Sequence, residues 1–294
     1  MADMTSTTMA TWTPEVWSAK PTITYRSNVV LAPMMDHTWE PEIGVGRGDT
    51  VNIAGFTQNN SPSNRGAGSG TFGTGASITF DAVTEAQLQL VVNRFYYKAY
   101  RQPVEAKAQV MPSYMNLLMK GHGEAIALQI DADLASDNSN GLDAASTTVG
   151  TDNIDVTEDD LTTVETNLNN QNAPVQDRYL VISPATRKSL LSIESIRNQL
   201  YRDTIGNIQG NRGAGYLGQV LTFGVYMSNN LEAGTAGKKN AGFQKEFCAF
   251  AEQVSLQTLN DINIEAGVFS QFVTFQTCGF KIVKNAFCNE LDGK

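Results

Sequence analysis

The segment from residue 48 to residue 100 alternates like two β-strands on either side of a long polar tip. Val51 and Ile53 fall on one face of the first arm, and the alternation resumes after the tip and continues through Leu90. The tip, residues 57–75, is nearly all Gly, Ser, Asn and Thr, and so long an unstructured stretch is unusual within a compact domain. A two-stranded ribbon is marginally stable in water by itself. We therefore expect this ribbon to lie on another surface, that of a second copy of the chain.

The composition is that of a folded globular protein with an uncharged polar surface. The chain has 294 residues, of which 41% are hydrophobic, enough for one large core or two medium ones. Only 17% of the residues are charged, while glycine, asparagine, threonine and serine are abundant. This balance favours sheets, turns and polar contact surfaces over long solvated helices. The order of the helices and strands predicted below is that of an α+β protein.

The charge pattern argues against two classes of partner. The net charge is -9 and the pI is about 4.8, with lysine and arginine scattered along the chain, so no footprint for sequence-specific nucleic-acid binding is present. No run approaches the roughly 18 apolar residues of a membrane span, and the first residues lack the pattern of a secretory signal. We predict a protein that is made and folded in a cytoplasm and does not bind membranes.

Residues that usually carry catalysis or bind metals form no recognisable set. Cys248, Cys278 and Cys288 lie among apolar residues without metal-ligand spacing, which is typical of free buried thiols in a reducing compartment. His37 and His122 have no nucleophile or acid partner at a known spacing. A small-molecule enzyme would need such a set, so we predict no catalytic residue, no metal and no cofactor.

Two glycine patterns match the spacing of a dinucleotide-binding loop but not its context. Residues 68–73 read GSGTFG and residues 213–218 read GAGYLG. The fingerprint requires a buried strand before it and, after it, a helix N-terminus that meets the phosphates. The first pattern lies in the polar tip and the second leads into a predicted strand, so we interpret both as turns.

The first half of the chain predicts an arm and a long helix. Residues 1–43 carry large apolar side chains separated by prolines and cannot close a core alone, which predicts an arm that packs along another surface. Apolar residues recur at helical spacing across residues 112–136, with Gly121 and Gly123 either preceding the helix or making it bendable. Residues 137–152 are predicted to form a loop.

The second half predicts a mixed lobe followed by a β-rich tail. Thr157 and the acidic residues after it predict the start of a helix over residues 161–168. The later segments predict, in order, a strand over 179–182, a helix that begins near Pro184 and carries Leu190 through Ile196, a turn at 213–218, a strand over 220–227 and alternating strands across 247–287.

Several stretches follow the order of one known family. The most specific is LGQVLTFGVYMSNNL at residues 217–231, and the supporting stretches are WTPEVW at 12–17, GDTV at 48–51, the helix ending in DADL at 131–134 and YLVISPATRKSLL at 179–191. Together they span nearly the whole chain, and they resemble the major capsid proteins of tailed bacteriophages with the HK97-type fold.

The resemblance implies an HK97-type capsid fold with defined parts. Residues 1–43 would be the N-terminal arm, and residues 44–100 the extended loop, or E-loop, lying across a neighbouring subunit. Residues 101–150 would hold the peripheral domain with its long spine helix, and residues 151–245 the axial domain around the capsomer centre. Residues 246–294 would add C-terminal strands that complete both domains.

The resemblance also implies a function. The chain would be a major capsid protein that self-assembles, through hexamers and pentamers, into the icosahedral shell enclosing a bacteriophage double-stranded DNA genome. Its other partners would be a scaffolding protein, a portal and a cement protein, and it would reside in the virion after assembly in the host cytoplasm. The alternative is an encapsulin-like nanocompartment shell that packages a cargo enzyme.

Residues in the predicted contact regions are candidates for subunit interfaces, because large apolar and charged side chains anchor such contacts. Gly121 and Gly123 form a candidate hinge in the spine helix, because glycine weakens a helix interior by about 1 kcal/mol relative to alanine. The interface candidates are Trp12, Trp17, Trp39, Phe56, Arg65, Phe72, Arg202, Asp203 and Arg212.

Overall fold

The computed structural model describes residues 30–43, 48–57, 84–103, 112–137, 139–145, 147–198, 215–263 and 268–293. The helices are α1 (Pro112–Ser136), α2 (Glu158–Asn170) and α3 (Pro184–Ser192). The strands are β1 (Thr50–Thr57), β2 (Thr84–Val91), β3 (Arg94–Pro103), β4 (Thr147–Gly150), β5 (Arg178–Ile182), β6 (Tyr216–Val220), β7 (Phe223–Met227), β8 (Lys238–Gln244), β9 (Cys248–Asn263), β10 (Phe269–Ile282) and β11 (Cys288–Gly293).

The strands form three sheets. β1 and β2 pair antiparallel as a separate ribbon, and β3, β10 and β9 form an antiparallel sheet in that order. The largest sheet has six strands in the order β4-β11-β8-β5-β7-β6 and is mixed, because β4 runs parallel to β11 and β5 parallel to β7. The predicted α+β class is confirmed.

The six-stranded sheet is covered on both faces. Leu180 of β5 joins a buried cluster that contains Val164 of α2, whereas the next residue, Val181, joins a second buried cluster with Ile130 and Leu134 of α1. Successive residues of a strand point to opposite faces. β5 therefore has a core on each side, which explains its nearly continuous apolar sequence.

The predicted helix over residues 112–136 is confirmed with the same bounds. Ile126 and Ile130 are buried in the cluster between α1 and the six-stranded sheet, as the helical spacing of the apolar residues requires. The helix is continuous through Gly121 and Gly123 and so does not begin after them.

The acidic start of α2 is a capping box, as predicted. The hydroxyl of Thr157 accepts a hydrogen bond from the N–H of Asp160, and the Asp160 carboxylate accepts one from the N–H of Thr157 at 2.8 Å. Glu158 and Asp159 lie in the same first turn, where negative charge stabilises the helix dipole.

Helix α3 is shorter than the sequence predicts. The Ser183 hydroxyl caps it by accepting from the N–H of Thr186 at 3.0 Å, and Pro184 occupies the first turn. The prediction of one helix through Ile196 is wrong, because Ile193 has an extended backbone (φ -83°, ψ 118°) and helical conformation resumes only at residue 194. The apolar spacing hides this break because residues on both sides of it pack into the same cluster.

Two strand predictions also need correction. Residues 137–152, predicted as a loop, contain β4, whose four residues are too few to give an alternation signal. The single strand predicted over 220–227 is a hairpin, in which β6 ends at Val220 and β7 begins at Phe223. Its turn includes Leu221 with φ +54°, and leucine so rarely adopts this conformation that the sequence does not indicate a turn.

The predicted hairpin forms, but its second arm is shorter than expected. Val51 lies opposite Leu90 in the β1–β2 register, and the N–H of Val92 donates to the carbonyl of Asp49 at 2.7 Å, closing the base of the ribbon. The prediction that this arm continues to residue 100 is wrong, because β3 pairs with β10 instead. Alternation identifies a strand but not its partner, and the polar tip lies outside the described residues.

A candidate assembly surface

The three-stranded sheet has an open face with aromatic and aliphatic side chains on it. Phe95 and Tyr97 of β3 and Leu259 of β9 are 58%, 64% and 58% exposed. The strand register places Tyr97 opposite Phe275 and Leu259 opposite Val273, both on β10. These five residues therefore share one side of the sheet, and we call this side the open face.

The aromatic residues of the open face pack against each other. The ring centroids of Phe95 and Tyr97 are 5.9 Å apart, and those of Phe95 and Phe275 are 5.6 Å apart. Farther along the sheet, the guanidinium carbon of Arg101 lies 3.8 Å from the ring centroid of Phe269. Such contacts hold flat apolar side chains in a fixed arrangement, and aromatic residues and arginine are enriched at protein interfaces.

The opposite side of the same sheet is covered by α1. Phe272 and Thr274 of β10 are buried there, and the hydroxyl of Tyr96 donates a hydrogen bond to Asp133 of the helix. Arg94 pairs with Asp137 at the end of the helix. α1 thus covers part of one face, where Leu256 and Ile262 of β9 are still 47% and 57% exposed, and the described residues of the chain leave the other face exposed.

The β1–β2 ribbon packs against the body of the subunit at its base. Val51 and Ile53 pack against a small buried cluster that includes Leu90 and Val92. The β10 backbone comes so close at this point that a Cβ atom built on Gly279 would lie 2.3 Å from the carbonyl oxygen of Val91. Beyond the base, residues 54 and 55 are exposed, so the ribbon leaves the body at this level.

Trp39 lies beside the base of the ribbon and is half-buried against the same cluster. It also borders a cleft of about 480 Å³, which is lined by acidic and basic side chains including Asp36, Asp177 and Lys284. Lys284 pairs with Glu246 in this cleft. One side of Trp39 therefore completes the chain's own core, and its role in an interface stays a prediction.

Of the other predicted interface residues, Phe56 alone lies within the described residues. The backbone of Phe56 belongs to β1, where it pairs with Glu85. The remaining candidates lie outside the described residues; they are Trp12, Trp17, Arg65, Phe72, Arg202, Asp203 and Arg212.

The two glycines of the predicted hinge have different surroundings. A Cβ atom on Gly121 would have no neighbour within 4 Å among the described residues, whereas one on Gly123 would lie 3.1 Å from Cδ2 of Leu256. Leu256 belongs to β9, so Gly123 lies where α1 crosses the three-stranded sheet. The hinge role stays a prediction.

The open face was missed by the sequence predictions, although its strands were noticed. The run Phe95-Tyr96-Tyr97 places aromatic residues on both sides of β3, so composition alone does not reveal which side is covered. The missing information is the packing of α1, which covers the side of Tyr96 and leaves that of Phe95 open.

The described cysteines and His37 are occupied by packing or hydrogen bonds within the subunit. All three cysteines are free and buried, and burial raises the pKa of Cys248 and of Cys278 to about 12, so these thiols are unreactive near neutral pH. Nε2 of His37 donates to the carbonyl of Ala32, and its Nδ1 lies 2.8 Å from a carboxylate oxygen of Glu40. Within the described ranges no group of three or more histidine, cysteine, aspartate or glutamate residues is placed to hold a metal ion. No described helix is long and apolar enough to cross a membrane.

Solved structures with a similar fold come from phage particles. One is described as Mycobacterium phage Che8 (TM-score 0.72, 19% identity, covering 95% of this chain and 97% of that one). Others are the capsid structure of the cyanophage P-SCSP1u (TM-score 0.64, 16% identity, 96% and 93% covered) and the asymmetric unit of the bacteriophage PhiM1 mature capsid (TM-score 0.66, 10% identity, 96% and 92% covered). A search of curated proteins gives no match.

The fold, shared over nearly the full length with these structures, is that of the HK97-type shell proteins. A sequence model of the phage capsid protein family matches residues 69–265. The chain belongs to the phage capsid protein family and is a shell-forming major capsid protein. The nanocompartment alternative gains no support from these comparisons.

Proposed function

We propose that copies of this capsid protein join by laying the β1–β2 ribbon of one subunit over the open face of the next. The observation that carries the proposal is the exposure of Phe95, Tyr97 and Leu259 together on one side of the sheet, while α1 packs on the other side. A two-stranded ribbon needs a surface to lie on, and residues 54 and 55 of β1 and residue 87 of β2 are exposed beyond its packed base. The ribbon of one subunit would cover the open face of the next, and the open face would support the ribbon.

The contact is energetically sufficient for a repeated assembly. Burying one large apolar side chain contributes about 1.5–3 kcal/mol. Several such side chains on the open face give each subunit pair a modest stabilisation, which the closed shell multiplies over its many copies. Covering an exposed apolar patch of this kind is the usual reason for one to exist.

The direct test replaces Phe95 and Tyr97 together by serine. The purified variant subunit is expected to fold, with an unchanged circular dichroism spectrum, because both side chains are largely exposed. It is expected to form no closed shells under conditions in which the parent chain does, as judged by negative-stain electron microscopy. Normal shells from the double variant would refute the assigned surface.

Val175→Ser is the matched control. Val175 is 60% exposed but lies in the loop between α2 and β5, away from the three-stranded sheet. Its replacement removes an exposed apolar side chain outside the open face and should leave shell formation intact. Equal defects in both variants would indicate a general loss of solubility rather than a specific contact.

The symmetry of the shell, its contents, its site of assembly and its further partners go beyond family membership and are also proposed here. The shell would be icosahedral, built from hexamers and pentamers in the host cytoplasm, and would enclose double-stranded DNA, with a scaffolding protein, a portal and a cement protein as further partners. The acidic net charge supports this content, because a shell that bound DNA tightly would hinder its packing. Purified particles that contain a cargo enzyme instead of DNA would contradict it.

A change in the bend of α1 would accompany expansion of a precursor shell. Gly121 is the cleaner site for testing the hinge, because a methyl group there meets no described atom within 4 Å, whereas one on Gly123 meets Leu256. Alanine at both positions is expected to slow or block expansion, followed as the change of particle diameter with time. Expansion at the parent rate would reject the hinge.

A further inference from the structure

Asp131 of α1 is a fully buried carboxylate held by four N–H donors. Its Oδ1 accepts from the backbone N–H of Leu31 at 2.6 Å and of Ala32 at 3.3 Å. Its Oδ2 accepts from the backbone N–H of Val30 at 3.1 Å and from the side-chain amide of Asn230 at 3.0 Å. Leu31 and Asp131 are both 0% exposed.

These donors come from two separate parts of the chain, and the carboxylate that accepts from them belongs to a third. The backbone donors belong to a segment about 100 residues earlier in the chain than the carboxylate, and Asn230 follows β7 of the six-stranded sheet. No described ion pair includes Asp131, so its charge is balanced by neutral donors alone. A buried carboxylate is costly unless its oxygens are fully hydrogen-bonded. The carboxylate and the early segment therefore depend on each other.

The early segment is held at a second point. The N–H of Asp36 donates to the carbonyl of Cys248 at 3.0 Å, and the N–H of Phe250 donates to the carbonyl of Asp36 at 2.8 Å, so the chain bridges to β9 here. Between the two points Leu31 and Met35 are buried in the core. The hydrogen bonds to Asp131 thus fix the end of this segment that is next to residue 29.

We propose that Asp131 is a positioning residue that fixes residues 30–32 against α1 and so sets the point at which residues 1–29 join the body of the subunit. The inference rests on the proposed function in one respect, because its consequence for assembly requires the N-terminal arm to contact neighbouring subunits. Asn230 links the same carboxylate to the six-stranded sheet, so Asp131 keeps residues 30–32, α1 and that sheet in fixed relative positions.

The first experiment uses the full chain with Asp131→Asn. Asparagine has the same size but offers only one acceptor oxygen and turns an NH₂ group toward N–H donors. In the unassembled subunit, hydrogen exchange at the amides of residues 30–32 is expected to accelerate by at least about tenfold, the effect of losing roughly 1.4 kcal/mol of protection. Amides of α2 and β5 should keep their parent rates. Unchanged protection at residues 30–32 would overturn the proposal.

Asp133→Asn is the matched control on the same helix. Asp133 accepts from Tyr96 and pairs with Arg94 on the other side of α1, so its replacement should leave the exchange of residues 30–32 unchanged. If Asp131→Asn does not fold, Asn230→Ala removes one of the four donors and should accelerate the same amides by a smaller factor. No change in that variant would also count against the proposal.

Shell formation then tests the consequence. Asp131→Asn subunits that fold are expected to give open or irregular particles in electron microscopy, since the point at which their arms join the body is no longer fixed. Normal shells from a variant that has lost protection at residues 30–32 would overturn the positioning role. A parent chain that forms no shells would refute the proposed function, and the exchange data would still decide whether Asp131 holds the arm.

Discussion

The six-stranded and three-stranded sheets follow the same alternation but are completed in different ways. Val181 and Leu180 of β5 meet separate buried clusters, so the larger sheet has a core on each side. In the smaller sheet Phe272 is buried beneath α1 while Phe95 on the other side is exposed. The comparison predicts that one sheet is completed within the chain and the other between chains, so that stability depends mainly on the first sheet and assembly on the second.

The largest expected effect comes from Phe243→Ala in the six-stranded sheet. Phe243 is fully buried, with its ring centroid 5.8 Å from that of Tyr179. Its truncation should lower the free energy of unfolding of the unassembled subunit by about 3–5 kcal/mol, measured by urea denaturation. Phe95→Ala removes the same atoms from the open face and should cost well under about 1 kcal/mol. Equal losses would break the contrast between the sheets.

The next effect tests the point where the ribbon meets the three-stranded sheet. In Gly279→Ala the new methyl group would lie 2.3 Å from a backbone oxygen and 2.8 Å from Cα of Val92, so the backbone must shift. We expect a loss of about 1–3 kcal/mol in the free energy of unfolding and faster hydrogen exchange in β2. Gly121→Ala, which meets open space, should instead stabilise the subunit by up to about 1 kcal/mol. A neutral Gly279→Ala would contradict the close attachment.

A smaller effect concerns the cover of the six-stranded sheet. Thr157→Ala removes one half of the capping box of α2 and should cost about 1 kcal/mol of the free energy of unfolding. Thr162→Ala, within the same helix, is the control, because the Thr162 hydroxyl donates only to the carbonyl of Asp159. Loss of stability in the control alone would show that the cap contributes little.

The smallest effect concerns pH and the covered side of the three-stranded sheet. His122 of α1 is buried, and its Nδ1 has no hydrogen-bond partner among the described residues. Burial, with help from Lys98, lowers the pKa of His122. The unfolded chain therefore takes up a proton first as the pH falls, so stability present above about pH 6.5 declines below it, by less than about 1 kcal/mol. His122→Gln should remove this decline in melting temperatures, and His37→Gln should retain it.

Sequence patterns predicted the elements better than their partners. The helix over residues 112–136 and the cap at Thr157 follow from local spacing and local chemistry, and both are confirmed. β3 was recognised as alternating but assigned to the wrong ribbon, because pairing with β10 depends on residues about 175 positions away. The turn at Leu221 opposes the preference of leucine for negative φ, so tertiary packing imposes it. The extended Ile193 suits a β-branched residue, but the helical spacing of its apolar neighbours hides the break.

The assembly surface was predictable only in part. In the sequence, a long polar tip between two apolar arms predicts a ribbon that needs a supporting surface. The open face gives no comparable sign, because Tyr96 and Tyr97 look alike in the sequence and only the position of α1 separates the buried one from the exposed one. Asp131 likewise resembles any acidic residue near the end of a helix until its four donors are placed around it.

The position of β11 has a consequence for the order of synthesis. β11, residues 288–293, lies between β4 and β8, and β4 has no other partner in the sheet. Residues 147–150 therefore cannot pair within the sheet until almost half of the chain, which follows them, has been synthesised. A translation product that stops before residue 288 leaves one edge of β8 unpaired and Leu291 missing from the core.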